Sequence, residues 1–222
     1  ARAIRHGFPW VYSDELVLDR RSKALAPGTI ARLEDAERRP LGTVAVNPGS
    51  RIVARMLDRD PEACIGRDWL TARLARAARL REKLHDRPFY RLVHAEADGL
   101  PGLVVDRYGE AAAIQPNAAW SERMLSDIAS ALREVAGVET LVKNGQGRAR
   151  ATEGLSEETV LLAGRLDGPV SVPMNGAVYM ADLLGGQKTG LYYDQRENHA
   201  FAARFARGAR VLDVFAHVGG FS

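Results

Sequence analysis

The chain has 222 residues, 46% of them hydrophobic and 27% charged, the make-up of a globular protein with room for one large domain or two small ones. No apolar run reaches the roughly 20 residues of a spanning helix, and the charged opening at residues 1–6 does not read as a secretory leader. One cysteine, Cys64, excludes an internal disulfide framework and a thiolate metal cage, and points to a reducing cytoplasm.

Charge divides the chain. There are 18 basic and 12 acidic residues before Tyr90, and 13 and 16 from Tyr90 onward, for a net charge of +3. The basic front suggests a polyanionic partner on that side. Nearly all of the positive charge is arginine, whose planar fork suits phosphate and base edges; lysine occurs only at Lys23, Lys83, Lys143 and Lys188.

Residues 1–66 read as a small all-β module. Short strands are predicted at 10–12, 29–33, 41–46 and 51–57, separated by the turns Pro27-Gly28 and Asn47-Pro48-Gly49-Ser50 and a charged hairpin tip at 34–39. Trp10 begins a strand among apolar neighbours and reads as core. Cys64 reads as a small, partly buried apolar residue. From 67 to 84 the period becomes helical, with Trp69, Leu70, Leu74, Ala77, Ala78 and Leu84 on one face and Arg73, Arg76, Arg79 and Lys83 on the other. That basic face reads as solvated.

This helix leads a second unit, 67–168. Strands are predicted at 90–94, 103–106, 111–115, 138–143 and 159–163, with a helix over 121–135 capped by Ser121 and stopped at Ala136-Gly137. The Gly- and Arg-rich stretch 144–154 reads as a mobile loop. The order strand, strand, helix, strand, with a late strand after a loop, is an α+β layer of the form β-β-α-β-β. The third unit, 169–222, opens with a hairpin around Asn175-Gly176. A glycine-rich loop at 184–190 and a helix over 195–206 follow, then a buried-strand run at 210–215 and the glycine turn Gly219-Gly220.

A strand that ends in an acid and opens into a glycine-rich turn is how doubly wound folds begin a nucleotide or nucleoside site. Asp213 with Gly219-Gly220 fits that pattern but lacks the glycine spacing of a dinucleotide pyrophosphate loop, which disfavours an NAD-dependent enzyme. Gln187-Lys188-Thr189 holds a Lys-Thr pair without the glycine that a phosphate loop needs. An acid followed by small residues better suits a ligand with an ammonium group and a ribose, such as S-adenosylmethionine.

The segment Asp213-Val214-Phe215-Ala216-His217-Val218-Gly219-Gly220-Phe221-Ser222 resembles the first motif of class I S-adenosylmethionine-dependent methyltransferases. More narrowly, it resembles the bacterial 23S ribosomal RNA cytosine-C5 methyltransferases with an N-terminal PUA domain. Three other segments are similar to that family: His6-Gly7-Phe8-Pro9-Trp10-Val11-Tyr12-Ser13, Asp98-Gly99-Leu100-Pro101-Gly102-Leu103-Val104-Val105-Asp106-Arg107-Tyr108-Gly109, and Gly186-Gln187-Lys188-Thr189-Gly190-Leu191-Tyr192-Tyr193-Asp194-Gln195-Arg196. They span nearly the whole chain in the family's order, and His199 stands where the family pattern has arginine.

The resemblance implies an α+β multidomain protein: a PUA-like β-barrel, an α+β middle domain and the start of a Rossmann-like methyltransferase core. It implies S-adenosylmethionine as cofactor, held by Asp213, Phe215, Gly219 and Gly220, with Lys188, Tyr193, Gln195 and Arg196 lining the approach to cofactor or RNA. It implies large-subunit ribosomal RNA as partner, met by Arg5, His6, Arg51 and Arg55, and dimerisation by analogy with relatives. The family's catalytic groups would lie beyond Ser222, so the chain alone is expected to be inactive. The competing expectation is an RNA-binding adaptor without catalysis.

Overall fold

The computed structural model describes residues 2–221; Ala1 of the charged opening and Ser222 of the last motif lie outside the described residues. A one-turn helix α1 (Arg2–Arg5) precedes strand β1 (Trp10–Tyr12), and a second short helix α2 (Arg20–Lys23) precedes β2 (Thr29–Glu34), β3 (Pro40–Val46) and β4 (Ile52–Asp58). These strands form one antiparallel sheet in the order β1-β4-β3-β2. Val11, Leu33, Val44, Val46 and Val53 pack beneath it with Ile4 of α1, as period-two alternation requires. The hairpin tip between β2 and β3 is tied by Asp35, whose carboxylate accepts from the Glu37 and Arg39 amides, both at 2.9 Å.

Helix α3 (Arg67–Leu84) lies against a five-stranded sheet made of β5 (Phe89–His94), β6 (Leu103–Tyr108), β7 (Ala111–Pro116), β8 (Thr140–Lys143) and β9 (Val160–Ala163), in that order. β7 and β8 run parallel, while the other pairs are antiparallel. Between β7 and β8 the chain forms α4 (Ala119–Arg123) and α5 (Leu125–Ala136). This sheet is covered on both faces. Leu92, Leu103, Val105, Ala112, Ile114 and Leu141 face Leu70, Leu74, Ile128 and Leu132 of the helices. Ala111, Ala113, Tyr108 and Val142 face the opposite way, onto the hairpin β10 (Val170–Met174) and β11 (Ala177–Ala181). Two-sided burial explains why β7 reads as a continuous apolar run rather than an alternating one. Asn175 and Gly176 make the hairpin turn at φ 55° and 81°, the doubly left-handed geometry of a type I′ turn.

Several expectations need correction. The helix expected over 121–135 is two helices, broken where Met124 leaves helical dihedrals. Ser121 is not a cap: it lies inside α4, buried, with its hydroxyl donating to the Ala118 carbonyl at 2.8 Å. The stretch 144–154 is not a loose loop. It contains α6 (Arg148–Thr152) and is organised around a fully buried Arg150. Leu84 is exposed at the end of α3, and Cys64 is exposed in the connection before that helix. Trp10 is half-buried rather than core, its indole N–H donating to Glu96 Oε1 at 2.7 Å. The strand expected at 210–215 is absent: after α7 (Arg196–Ala206) those residues have no ladder partner among the described residues. A strand is defined by its neighbours, and none lies beside this run.

Candidate functional site

The segment that follows β11 is seated on the covered sheet by buried polar contacts. Asp106 of β6, fully buried, takes a bidentate pair from Arg91 at 2.9 and 3.0 Å and a hydrogen bond from the Thr189 hydroxyl at 2.5 Å. The Tyr108 hydroxyl donates to the Thr189 carbonyl at 3.0 Å, and the buried Asn144 amide donates to the Lys188 carbonyl. The Tyr193 hydroxyl donates to the Arg107 carbonyl at 2.8 Å. Burial pushes both tyrosine pKa values far up, and the nearby Asp106 charge adds to it, so the phenols stay protonated and donate.

Anchored this way, residues 187–195 form one wall of a cleft of about 320 Å³, whose other wall is the turn at 215–221. Gln187, Leu191, Tyr192, Gln195 and His199 face Phe215, Ala216, His217, Val218, Gly220 and Phe221. Phe215 and His217 hold left-handed φ values of 63° and 54°, which bends the chain back over the cleft. Gly220 meets His199 so closely that an added Cβ would lie 2.3 Å from the imidazole, so any larger residue there would have to displace that ring. His199 is buried, its Nδ1 has no hydrogen-bond partner among the described residues, and burial lowers its pKa against the opposing charge of Asp213. A glycine-walled cleft with an unsatisfied buried ring nitrogen and an acid nearby suits a polar ligand with a nucleoside body.

The expected cofactor residues divide. Gln195, Phe215 and Gly220 line this cleft. Gly219 closes its turn, donating to the Ala216 carbonyl at 2.8 Å, and Asp213 is half-buried beside His199. Lys188 stands exposed at the rim, 5.9 Å from the Tyr192 ring centre. Tyr193 and Arg196 turn the other way. Tyr193 packs on Tyr108 with ring centres 5.2 Å apart. Arg196 reaches β5, its Nη1 2.8 Å from His85 Nδ1 and its Nη2 donating to the Phe89 carbonyl. The helical turn that aims Gln195 and His199 into the cleft necessarily aims Arg196 away from it.

The expected RNA residues divide too. His6 and Arg51 are exposed. Arg5 pairs with Asp35 and remains about half exposed. Arg55 is a correction: its side chain is only 12% exposed, paired with Glu153 at 2.8 Å and Glu96 at 3.7 Å, so it is committed inside the molecule. Glu153 also accepts from Asn47 at 3.0 Å, Ser50 at 2.8 Å and the Ala119 amide at 3.3 Å. Burial pushes the Glu153 carboxyl up, but Arg55 and its other donors prevail and hold it below its ordinary value. This cluster clamps the front sheet to the middle unit. Arg150 performs the same service within the middle unit, donating to Pro116, Ser156 and Glu122. Only the polar richness of 144–154 hinted at these residues; apart from Ser156, six positions on, their partners lie 28–106 positions away in sequence.

A family profile described as a PUA-like domain matches residues 1–59. The chain is 37% identical over 228 residues to Ribosomal RNA large subunit methyltransferase I of Shewanella amazonensis, covering 99% of this chain and 56% of that protein. The protein of the same name from Tolumonas auensis is 33% identical over 225 residues, again covering 99% and 56%. Among solved structures, the chain is similar to a putative SAM-dependent methyltransferase from Streptococcus mutans, with TM-score 0.79 at 18% identity, covering 99% of this chain and 56% of that one. It is also similar to SMU.776, a putative methyltransferase complexed with SAH, with TM-score 0.80 at 16% identity and the same coverage. At such identities the structures show the fold. The chain spans little more than half the length of these relatives.

Proposed function

We propose a function from one premise: the chain is a homologue of the proteins named Ribosomal RNA large subunit methyltransferase I, and its front is a PUA-like domain. In this reading it is the RNA-holding and cofactor-facing part of an S-adenosylmethionine-dependent ribosomal RNA methyltransferase of the cytoplasm, acting on cytosine C5 of large-subunit RNA and working as a homodimer. The observation that carries it is the convergence at one cleft of the anchored loop after β11 and the glycine turn at 219–220.

The residues present fit the cofactor. Asp213 would meet its ammonium group, and the backbone of 215–220 would wrap it. Gln195 and the unsatisfied His199 nitrogen would offer polar contacts, with Lys188 at the rim. Bound there, S-adenosylmethionine supplies an electrophilic methyl group on a sulfonium. Arg5, His6 and Arg51 would hold RNA phosphates, an affinity that falls steeply with salt. Methylation at cytosine C5 calls for a thiolate to attack C6 of an accessible base. The chain's one cysteine, Cys64, is exposed before α3 and is not among the cleft residues; in this reading the chain alone is expected to transfer no methyl group.

The test is transfer of label from methyl-labelled S-adenosylmethionine to unmodified large-subunit RNA, comparing this chain with a protein extended to the length of its relatives. Label placed by the extended protein and not by the 222-residue chain is expected. If the extended protein transfers nothing while both bind RNA, the methyltransferase reading is wrong and a non-catalytic RNA adaptor replaces it.

A further inference from the structure

A second cleft, of about 230 Å³, opens where α3, β5 and the start of α7 meet, and three arginines line it: Arg81, Arg91 and Arg196. Two of them are compensated. Arg81 makes a bidentate pair with Asp98 at 2.5 and 2.8 Å, and Arg91 makes one with Asp106. Both pairs use the planar fork on a carboxylate fixed in the middle unit, so these two guanidinium groups are already neutralised where they stand.

Arg196 differs. Asp194 and Glu197 flank it in sequence, yet among the described residues no carboxylate lies within ion-pair distance of it. Its contacts are neutral: His85 Nδ1 at 2.8 Å, the Phe89 carbonyl, and the face of Tyr193, whose ring centre lies 5.5 Å from Cζ. Its Nε is buried with no hydrogen-bond partner. His85 stacks on Tyr90 at 5.2 Å between ring centres, and burial together with the Arg196 charge lowers its pKa, so the ring is neutral near pH 7 and offers Arg196 a lone pair. A half-buried cation held only by dipoles, with one donor unused, is an arrangement that an added anion stabilises.

We propose that Arg196, with His94 and the aromatic wall of this cleft, binds a phosphodiester of the RNA strand, on the opposite side of the first turn of α7 from the cofactor cleft. The inference rests on the RNA reading above and adds a site to it. The fork of arginine matches phosphate oxygens, and the exposed His94 lines the same cleft, while Tyr90 and Tyr193 form its buried floor. Because Gln195 and Arg196 are consecutive, one helical turn would hold cofactor on one side and RNA backbone on the other.

The experiment measures binding of a fluorescein-labelled single-stranded oligoribonucleotide to the full 222-residue chain by anisotropy across a range of KCl concentrations. Arg196→Gln is expected to weaken binding at least fivefold at low salt and to reduce the slope of log affinity against log salt by about 0.7, the share of one single-strand phosphate. Arg196→Lys, which keeps the charge without the fork, should restore most of the slope and only part of the affinity. Asp194→Asn removes an exposed negative charge from the cleft wall and leaves Arg196 in place, so it should tighten binding two- to fivefold even if the Arg196→Gln variant folds poorly. RNA bound by the native chain with affinity and slope unchanged in Arg196→Gln and Asp194→Asn overturns the pocket while leaving the RNA reading intact. A native chain that binds no RNA at low salt overturns both.

Discussion

Strand β7 and the run at 211–215 are both short and apolar, and the fold treats them in opposite ways. β7 is paired on both edges and covered on both faces, with Ala112, Ala113 and Ile114 fully buried. At 211–215 there is no ladder among the described residues, Leu212 is 86% exposed and Phe215 is 99% exposed. Phe215 also sits at a left-handed φ of 63°, which an isolated bulky residue adopts at some cost. Apolar sequence sets only a capacity for burial; strand partners and a second layer turn it into structure.

The same contrast governs how the molecule should respond to change. The largest effect is expected at the clamp beneath the sheets, because Glu153 has a side chain only 2% exposed and faces the buried Arg55. Glu153→Ala leaves that guanidinium only Glu96, 3.7 Å away, and should cost about 3–5 kcal/mol in urea unfolding. A loss below about 1 kcal/mol would show that the front sheet and the middle unit are held by apolar packing alone. Next comes a matched pair of leucines. Leu141→Ala in β8, fully buried, should cost about 2–5 kcal/mol, whereas Leu212→Ala should shift stability by less than about 0.5 kcal/mol. Equal losses at both positions would mean that the tail packs in solution and that the comparison fails.

The smallest and most gradual effect is that of acid. Burial tends to raise the carboxyl pKa values of Glu153, Glu122 and Asp58, but the hydrogen bonds and charges of Arg55, of Arg150 with Lys143, and of Trp69 with Arg73 outweigh it, and each lies below its ordinary value in the folded state. The unfolded chain therefore binds these protons first. Their stabilisation is complete above the ordinary carboxylate range and is lost as pH falls through the lowered folded values. Thermal unfolding followed from pH 7 downward should stay level to about pH 5 and then decline. A flat profile to pH 3 would remove these ion pairs from the account of stability.

Much of the architecture was legible because it rests on local rules. The helix over 67–84 begins and ends where its apolar period does, and Asn175-Gly176 makes the hairpin that its left-handed preference requires. Gln195, Phe215 and Gly220 line one cleft. The misreadings share another cause. Ser121 has the chemistry of a cap but lies one turn too deep, and Arg150 and Glu153 look like loop residues until their distant partners arrive. Arg55 looked free for RNA for the same reason.

By itself, then, the amino-acid order determined most of the strands and helices, since periodicity and turn chemistry act over a few residues. Tertiary structure alone decided which charges were spent and which were left open. Arg55, Arg81 and Arg91 are neutralised by carboxylates 15 to 98 positions away, and Arg196 meets only neutral groups. Whether a guanidinium is structural or available to a ligand depends on what folding brings within about 4 Å of it, where the Coulomb and hydrogen-bond energies are decided.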